Sequence, residues 1–264
     1  MKRIVILAAA IVMSGCAVSQ QQEVQMGQQY SAQIAQQLPL IQDPEVVRYI
    51  NVLGDSIAHV TSRRDLDWHF YVVNSPEVNA FAIPGGYVYV NRGLIERATS
   101  MDELAGVLGH EIGHVVRRHT VKQMQQQQGT SIGVTLACVL TQICNNQASN
   151  TAINLGANAL FAKFSRTDEA QADEEGFKNV VRAGISPEGL VTMFQKLIDE
   201  RKATPGAVDA WFATHPLEEA RIADVQRLIN TLTPAELAPL TKDTKNFHTF
   251  KARLATLPAA PAAR

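Results

Sequence analysis

The sequence predicts an α+β fold, mostly helical, with a small antiparallel sheet set beside one chemically loaded helix. Three observations predict it. Stretches with apolar residues at helical spacing occupy most of the 264 residues. One block, residues 68–90, switches to aromatic and β-branched residues broken by turn signals. The helix after that block carries two histidines four apart with a glutamate beside the first. A chain of this length supports one domain with a real core plus appendages. The formal net charge of −1 and the lack of a long basic run give no reason to expect a nucleic-acid partner.

The elements follow in order. "MKRIVILAAAIVMSGCAVS" opens with Lys2 and Arg3, runs apolar from Ile4 to Met13 and reaches small residues before Cys16. This is an export-signal pattern, and its apolar run is shorter than the roughly 20 residues a membrane-spanning helix needs. Cysteine directly after "MSG" resembles a bacterial lipobox, with Met13 where leucine is usual. It makes residues 1–15 a signal peptide and Cys16 the lipidated first residue of the mature chain. Attachment by more than one acyl chain is stable, and Ala17 suggests the outer membrane by analogy with lipoprotein sorting. Residues 16–40, rich in Gln, read as a tether and a first helix.

"DPEVVRYINVLGDSIAHV", 43–60, has Pro44 early and an amphipathic helical pattern. "WHFYVV", "VNAFAI" and "GYVYV" are strands, with Pro84-Gly85-Gly86 as a tight turn. "NRGLIERA" is a short helix. "MDELAGVLGHEIGHVVRRH" then starts at Ser100 with Glu103 three residues on, a capping-box spacing. Leu104, Val107, Leu108, Ile112 and Val115 form its apolar stripe. Residues 123–164 hold two Ala- and Gly-rich apolar segments, each too short to span a bilayer, which read as packed helices. Cys138 and Cys144 lie in the first of them, ahead of a polar turn around Asn145 to Asn150. In an exported chain a disulfide is permitted, although on one continuous helix they would point about 120° apart, so pairing needs a break near "TQICNNQ". "SPEGLVTMFQKLIDER", 186–201, is a further helix capped by Ser186, and "LATLPAAPAAR" reads as a loose tail. No internal repeat is visible.

The chemistry concentrates in "GHEIGHVVRRH". A helix turns about 100° per residue, so His110 and His114 sit about 40° apart on one face. Both imidazoles can reach one zinc ion at about 2.0–2.1 Å. Glu111 beside them can deprotonate a metal-bound water, the H-E-x-x-H arrangement. Catalytic zinc usually takes three protein ligands. His119 is nearest in sequence, but nine residues from His110 on a straight helix it faces roughly the opposite side. "FSRTDEAQADEEGF", 164–177, offers Glu169 and Asp173 one turn apart: one carboxylate to ligate and one to receive the N–H of a ligating histidine. The spacing leaves open which acid does which. "ATHPLEEARI" places His215 and Arg221 six apart, with Pro216 opening a helix.

In that order, "NAFAIPGG", "GHEIGHVVRRH", "FSRTDEAQAD" and "THPLEEARI" resemble the gluzincin zinc metallopeptidases that include HtpX and the CAAX prenyl endopeptidase. The soluble periplasmic lipoprotein branch of the BepA and LoiP type looks closest, over residues 41–229 or so. The resemblance implies a zincin-like peptidase domain over 41–230, with 231–264 an extension and loose tail. It implies one zinc per chain on His110, His114 and Glu169, with Glu111 as general base and Asp173 behind a ligand. It further implies that His215 and Arg221 reach the cleft, Arg221 supporting a carboxylate or the oxyanion. His215 would donate to the oxyanion or block the open metal position. Asn79, Ala80, Phe81 and Ala82 would hold an extended substrate.

HtpX and the prenyl endopeptidase carry transmembrane helices that are not read here, so a CAAX substrate is not expected. BepA-type chains add helical repeats, and no assembly role that depends on them is carried over. The expected function is zinc endopeptidase action on unfolded or misassembled envelope proteins in the periplasm. The alternative is a zinc-stabilised chaperone or outer-membrane assembly factor with weak or latent proteolysis. Expected partners are extended polypeptides, the membrane through the lipid, and envelope assembly machinery.

Overall fold

Polar side chains start the first two helices among the described residues. The computed structural model describes residues 18–128, 163–216 and 219–259. In α1 (Gln20–Gln37), the Gln22 amide donates to Ser19 Oγ and the Ser19 amide to Gln22 Oε1, a reciprocal cap. In α2 (Pro44–Ala58), Asp43 accepts from the amides of Glu45 and Val46, and Pro44 takes the first turn, where no N–H is needed.

Three strands follow: β1 (His69–Val73), β2 (Ala80–Ile83) and β3 (Tyr87–Asn91). The sheet is mixed, which corrects the antiparallel expectation. β3 lies in the middle, antiparallel to β2 and parallel to β1. The 84–86 turn dictates the β2–β3 hairpin, with Gly85 and Gly86 both at positive φ. "NSPE" makes no second hairpin. It docks on the helix after β3, where the Gly93 amide donates to Ser75 O and a side chain at 93 would collide with Pro76 O. β2 is thereby carried past β1 to the far side of β3. The outer edge of β1 is occupied by residues 39–41 through Ile41 N to Val72 O and Asn74 N to Pro39 O. β2 is left as the edge strand.

Alternation along β3 sorts the two layers. Val88 and Val90 face the main core with Phe70, Val72 and residues of α2 and of the later helices. Tyr87 and Tyr89 face Met26, Tyr30 and Ile34 of α1. The Gln-rich segment thus supplies a helix docked on the sheet. Its Glu23 is fully buried between Arg63 and Arg118 at 2.7 and 2.8 Å.

After α3 (Arg92–Arg97) comes α4 (Met101–Val116), of which Met101 to Val115 are all buried. The expected Ser100–Glu103 box is not made. Glu103 instead accepts from the amide and hydroxyl of Thr99 and from Lys196. The free amides at the start of α4 are satisfied from far along the chain: Met101 N donates to Asp243 Oδ1 and Asp102 N to Lys242 O.

A bend at Arg117 and Arg118 leads to α5 (His119–Gln128). Then come α6 (Arg166–Arg182), α7 (Glu188–Ala203), α8 (Asp209–Thr214) and α9 (Glu219–Ile229). Ser186 Oγ accepts from the Glu188 amide at the start of α7, as its sequence suggests. The chain closes with a turn of helix, α10 (Pro234–Leu237), and α11 (Lys245–Thr256). Phe247, Phe250 and Leu254 of α11 are buried in the main core, and Phe250 stacks on Tyr49 at 4.3 Å. Leu254, first residue of the stretch read as a tail, is therefore a core residue. Cys16, Cys138 and Cys144, and most of the two apolar segments between 123 and 164, lie outside the described residues.

Candidate metal centre

α4 and α6 cross with almost no side chain between them. A Cβ on Gly113 would lie 2.7 Å from Ala172 O, one on Gly109 would meet Val180, and one on Gly176 would sit 3.0 Å from His110 N. Small residues at a crossing let backbones approach closely, and this crossing brings the acids of α6 to the histidines of α4. Ser165 starts α6 with a reciprocal cap to Asp168, fixing the turn that bears Glu169. Phe164 N donates to Thr214 O, tying that entry to the end of α8, where His215 follows.

Four side chains from these elements converge, all at most 1% exposed: His110, His114, Glu169 and His215. His114 Nε2 is 3.0 Å from His110 Nε2 and 3.3 Å from Glu169 Oε1. His110 Nε2 is 3.7 Å from Glu169 Oε2 and 3.4 Å from His215 Nδ1, and His215 Nδ1 is 3.1 Å from Glu169 Oε1. A tetrahedral ion with bonds of about 2.0–2.1 Å separates its ligand atoms by roughly 3.3 Å. The donor set fits a divalent cation in type and spacing, with three nitrogens and a carboxylate oxygen facing one point.

Behind these atoms lies a second set of bonds. Asp173 Oδ1 is 2.8 Å from His110 Nδ1. Arg221 donates to Asp173 through Nε at 2.8 Å and Nη2 at 2.7 Å, and its Nη1 also contacts Glu169 Oε2. The Arg221 guanidinium lies over the Phe194 ring at 4.8 Å. Trp211 stacks on His215 at 4.5 Å and Phe164 on His114 at 4.0 Å, closing the site in aromatic walls. Glu111 Oε1 is buried and makes no hydrogen bond among the described residues, with His215 Nε2 3.4 Å from it in an ion-pair contact.

The electrostatics suit a cation. Three buried carboxylates, Glu111, Glu169 and Asp173, face one guanidinium. Burial pushes the Glu111 carboxyl up, against the pull of His215 and His110. Burial would also raise Glu169, but His215, His114 and Arg221 outweigh it and hold the carboxyl well below its usual range. Asp173 is likewise lowered against its burial, chiefly by Arg221. Burial holds His114 well below the usual imidazole value, keeping it neutral as a ligand must be. For His215 burial is overcome by Glu169 and Glu111, which raise it.

All seven polar residues expected at the centre are therefore together: His110, Glu111, His114, Glu169, Asp173, His215 and Arg221. Asn79 to Ala82 lie apart from it, leading into and along the edge strand β2, which packs on α4. His119, rejected as a ligand on helical geometry, is outside the four-residue group, yet its Nδ1 is 3.0 Å from His114 Nδ1. Sequence reasoning missed that contact, and it missed Gln171, Phe164 and Trp211. The only sequence signal for any of them is position beside a motif.

The model of peptidase family M48 matches residues 43–229, which contain every residue of this centre. The chain belongs to peptidase family M48. Among its relatives is the beta-barrel assembly-enhancing protease of Escherichia coli (strain K12), 31% identical over 247 residues, covering 91% of this chain and 50% of that protein. The metalloprotease LoiP of the same organism is 29% identical, covering 69% of this chain and 70% of LoiP. The mitochondrial metalloendopeptidase OMA1 of Schizosaccharomyces pombe is 31% identical, covering 67% of this chain and 51% of that protein. The chain thus spans half the length of the assembly-enhancing protease. Family membership implies a metal, and the buried group of His110, His114, Glu169 and His215 could hold it.

Proposed function

We propose that this chain is a zinc endopeptidase that cleaves unfolded or misassembled proteins of the cell envelope. The observation that carries the reading is the convergence of His110, His114 and Glu169 beside the buried carboxylate of Glu111. In this reading the first three hold zinc and Glu111 is the general base. Bound there, zinc would act as a Lewis acid and lower the pKa of a water toward about 7. Glu111 takes a proton at Oε1 during attack and returns it to the leaving amine. Burial of that oxygen, which makes no hydrogen bond among the described residues, supports the role by raising the carboxyl's affinity for a proton. Asp173 fixes His110 through Nδ1, and Arg221 holds both acids of α6 in place. An extended peptide pairs with the edge strand β2 around Asn79 to Ala82 through main-chain hydrogen bonds, which favours unfolded segments over particular sequences.

His215 admits two roles, oxyanion donor or fourth ligand. The distances of its Nδ1 to His110 and Glu169 favour the second in this conformation, a resting state in which the substrate's corner is filled.

Residues 1–15 then form the export signal, and Cys16 is the lipid anchor that holds the chain in the periplasm at the outer membrane. No helix among the described residues is long and apolar enough to cross a membrane. Residues 16–40 lead from the anchor, 41–230 are the peptidase domain and 231–264 its extension. The name of the assembly-enhancing relatives suggests envelope assembly machinery as a partner. The rival, a zinc-stabilised chaperone or assembly factor, has no use for a base at Glu111.

The test measures cleavage of an unfolded protein together with zinc content. Wild type should cleave with one zinc bound, Glu111→Gln should keep zinc and lose cleavage, and chelator should abolish both. His215→Ala should keep zinc and cleave faster. A zinc-loaded wild type and His215→Ala that both fail to cleave would favour the assembly-factor reading.

A further inference from the structure

His119 is 1% exposed, and helical geometry alone would turn it away from the site. The chain turns it back. α4 stops at Val116, and Arg118 adopts φ 57°, in the left-handed region that a non-glycine residue rarely occupies. Arg118 is held there by its Nε bond to buried Glu23 at 2.8 Å. α5 then starts at His119, whose ring meets His114 edge-on, centroids 5.0 Å apart.

The two rings face each other through their Nδ1 atoms at 3.0 Å. His114 presents Nε2 to the centre, so as a ligand it carries its proton on Nδ1. That proton points at His119 Nδ1, which must then be the acceptor. The proton of His119 is consequently on Nε2, and Gln171 Oε1 lies 3.0 Å from it, with Asp168 Oδ1 at 3.6 Å. Either other arrangement, a charged His119 or its second tautomer, would set two N–H groups against each other.

We propose that His119 is a positioning residue for the metal centre: it holds His114 in the tautomer that frees Nε2, and is itself held by Gln171. This rests on the reading of His114 as a ligand. The two histidine ligands are then supported unequally, His110 by a carboxylate neutralised by Arg221 and His114 by a neutral imidazole. A carboxylate at 119 would add a fourth buried negative charge beside Glu111, Glu169 and Asp173. A neutral acceptor orients the ring without that cost.

The experiment uses the full chain as wild type, His119→Phe, His119→Asn, Gln171→Leu and His114→Ala. Zinc affinity is read by chelator competition, the absorption bands of the cobalt-substituted protein report ligand geometry, and far-ultraviolet circular dichroism checks folding. Phe fills the volume without an acceptor, whereas Asn restores an acceptor near Nδ1 in a smaller side chain. His119→Phe should lose about 10–100-fold in zinc affinity and shift the cobalt bands. His119→Asn should recover most of the affinity, and Gln171→Leu should show a smaller loss with His119 intact. Affinity that follows volume, with Phe like wild type and Asn weak, overturns the proposal. So does equal loss in both variants, or no change in any of the three. A wild type without zinc, or His114→Ala binding as tightly as wild type, overturns the ligand reading beneath it.

Discussion

Glu103 shows how one side chain can hold a site that it never touches. It is 3% exposed and accepts from the Thr99 amide and hydroxyl and from Lys196 Nζ at 2.7 Å, bracing the entry to α4. Burial would raise its carboxyl, but the Lys196 ammonium and the Thr99 amide outweigh burial and bring it below the ordinary 4.5. A carboxyl lowered by folding adds stability that is present above the unfolded pKa and disappears as the pH falls through the folded one. Glu103→Gln should therefore be less stable than wild type at pH 7 by about 1 kcal/mol, the pair being partly screened by solvent. The two urea-unfolding curves should converge as the pH falls through the lowered folded-state pKa, where Glu103 becomes protonated in both states. A gap that persists in acid would mean that packing, not charge, sets the contribution. The sequence marked Glu103 as half of a capping box with Ser100. It could not show that Lys242 and Asp243 would supply the cap in place of Ser100.

At the scale of elements, the crossing of α4 and α6 decides whether two motifs become one centre. "GHEIGH" and "EAQAD" are separated by more than fifty residues, and the contact between them depends on Gly109, Gly113 and Gly176. Ala172 O would stand 2.7 Å from a Cβ at 113, and backbone cannot yield as the end of a side chain can. Gly113→Ala should cost about 1–3 kcal/mol through overpacking. It should also weaken metal binding while every ligand is still present, because Glu169 is displaced from His114. Calorimetry of the metal-free protein and chelator competition check the two effects. Unchanged affinity would show that α6 can absorb the extra methyl by rotating in place. In the sequence these glycines read only as tolerated helix residues. Their meaning appears once the partner backbone is seen.

For the molecule as a whole, the core extends beyond the segment that defines the family. The family match ends at Ile229, yet Phe247, Phe250 and Leu254 of α11 are buried against α2 and its neighbours. Segment 241–243 also satisfies the first amides of α4 and pairs with Ile185 and Ser186 before α7. Phe250→Ala should cost about 3–5 kcal/mol and lower the melting temperature with the centre itself untouched. If Phe250→Ala melts like wild type, α11 is an attachment and not part of the folding unit.

The sequence by itself determined the chemistry of this protein: which residues can ligate, which can serve as base, and that they lie on two helices at one-turn spacing. These are local properties, fixed by residue type and helical periodicity. It also determined the strands and the β2–β3 hairpin, because Pro84-Gly85-Gly86 permits little else. Only the tertiary structure decided that β1 pairs with β3, that distant carbonyls and carboxylates cap α4, and that His119 returns to the centre behind His114. Each of these depends on where another part of the chain lies. Arg118 takes its left-handed turn where Glu23, ninety-five positions earlier, holds its side chain, and no pattern local to "VVRRH" contains that information.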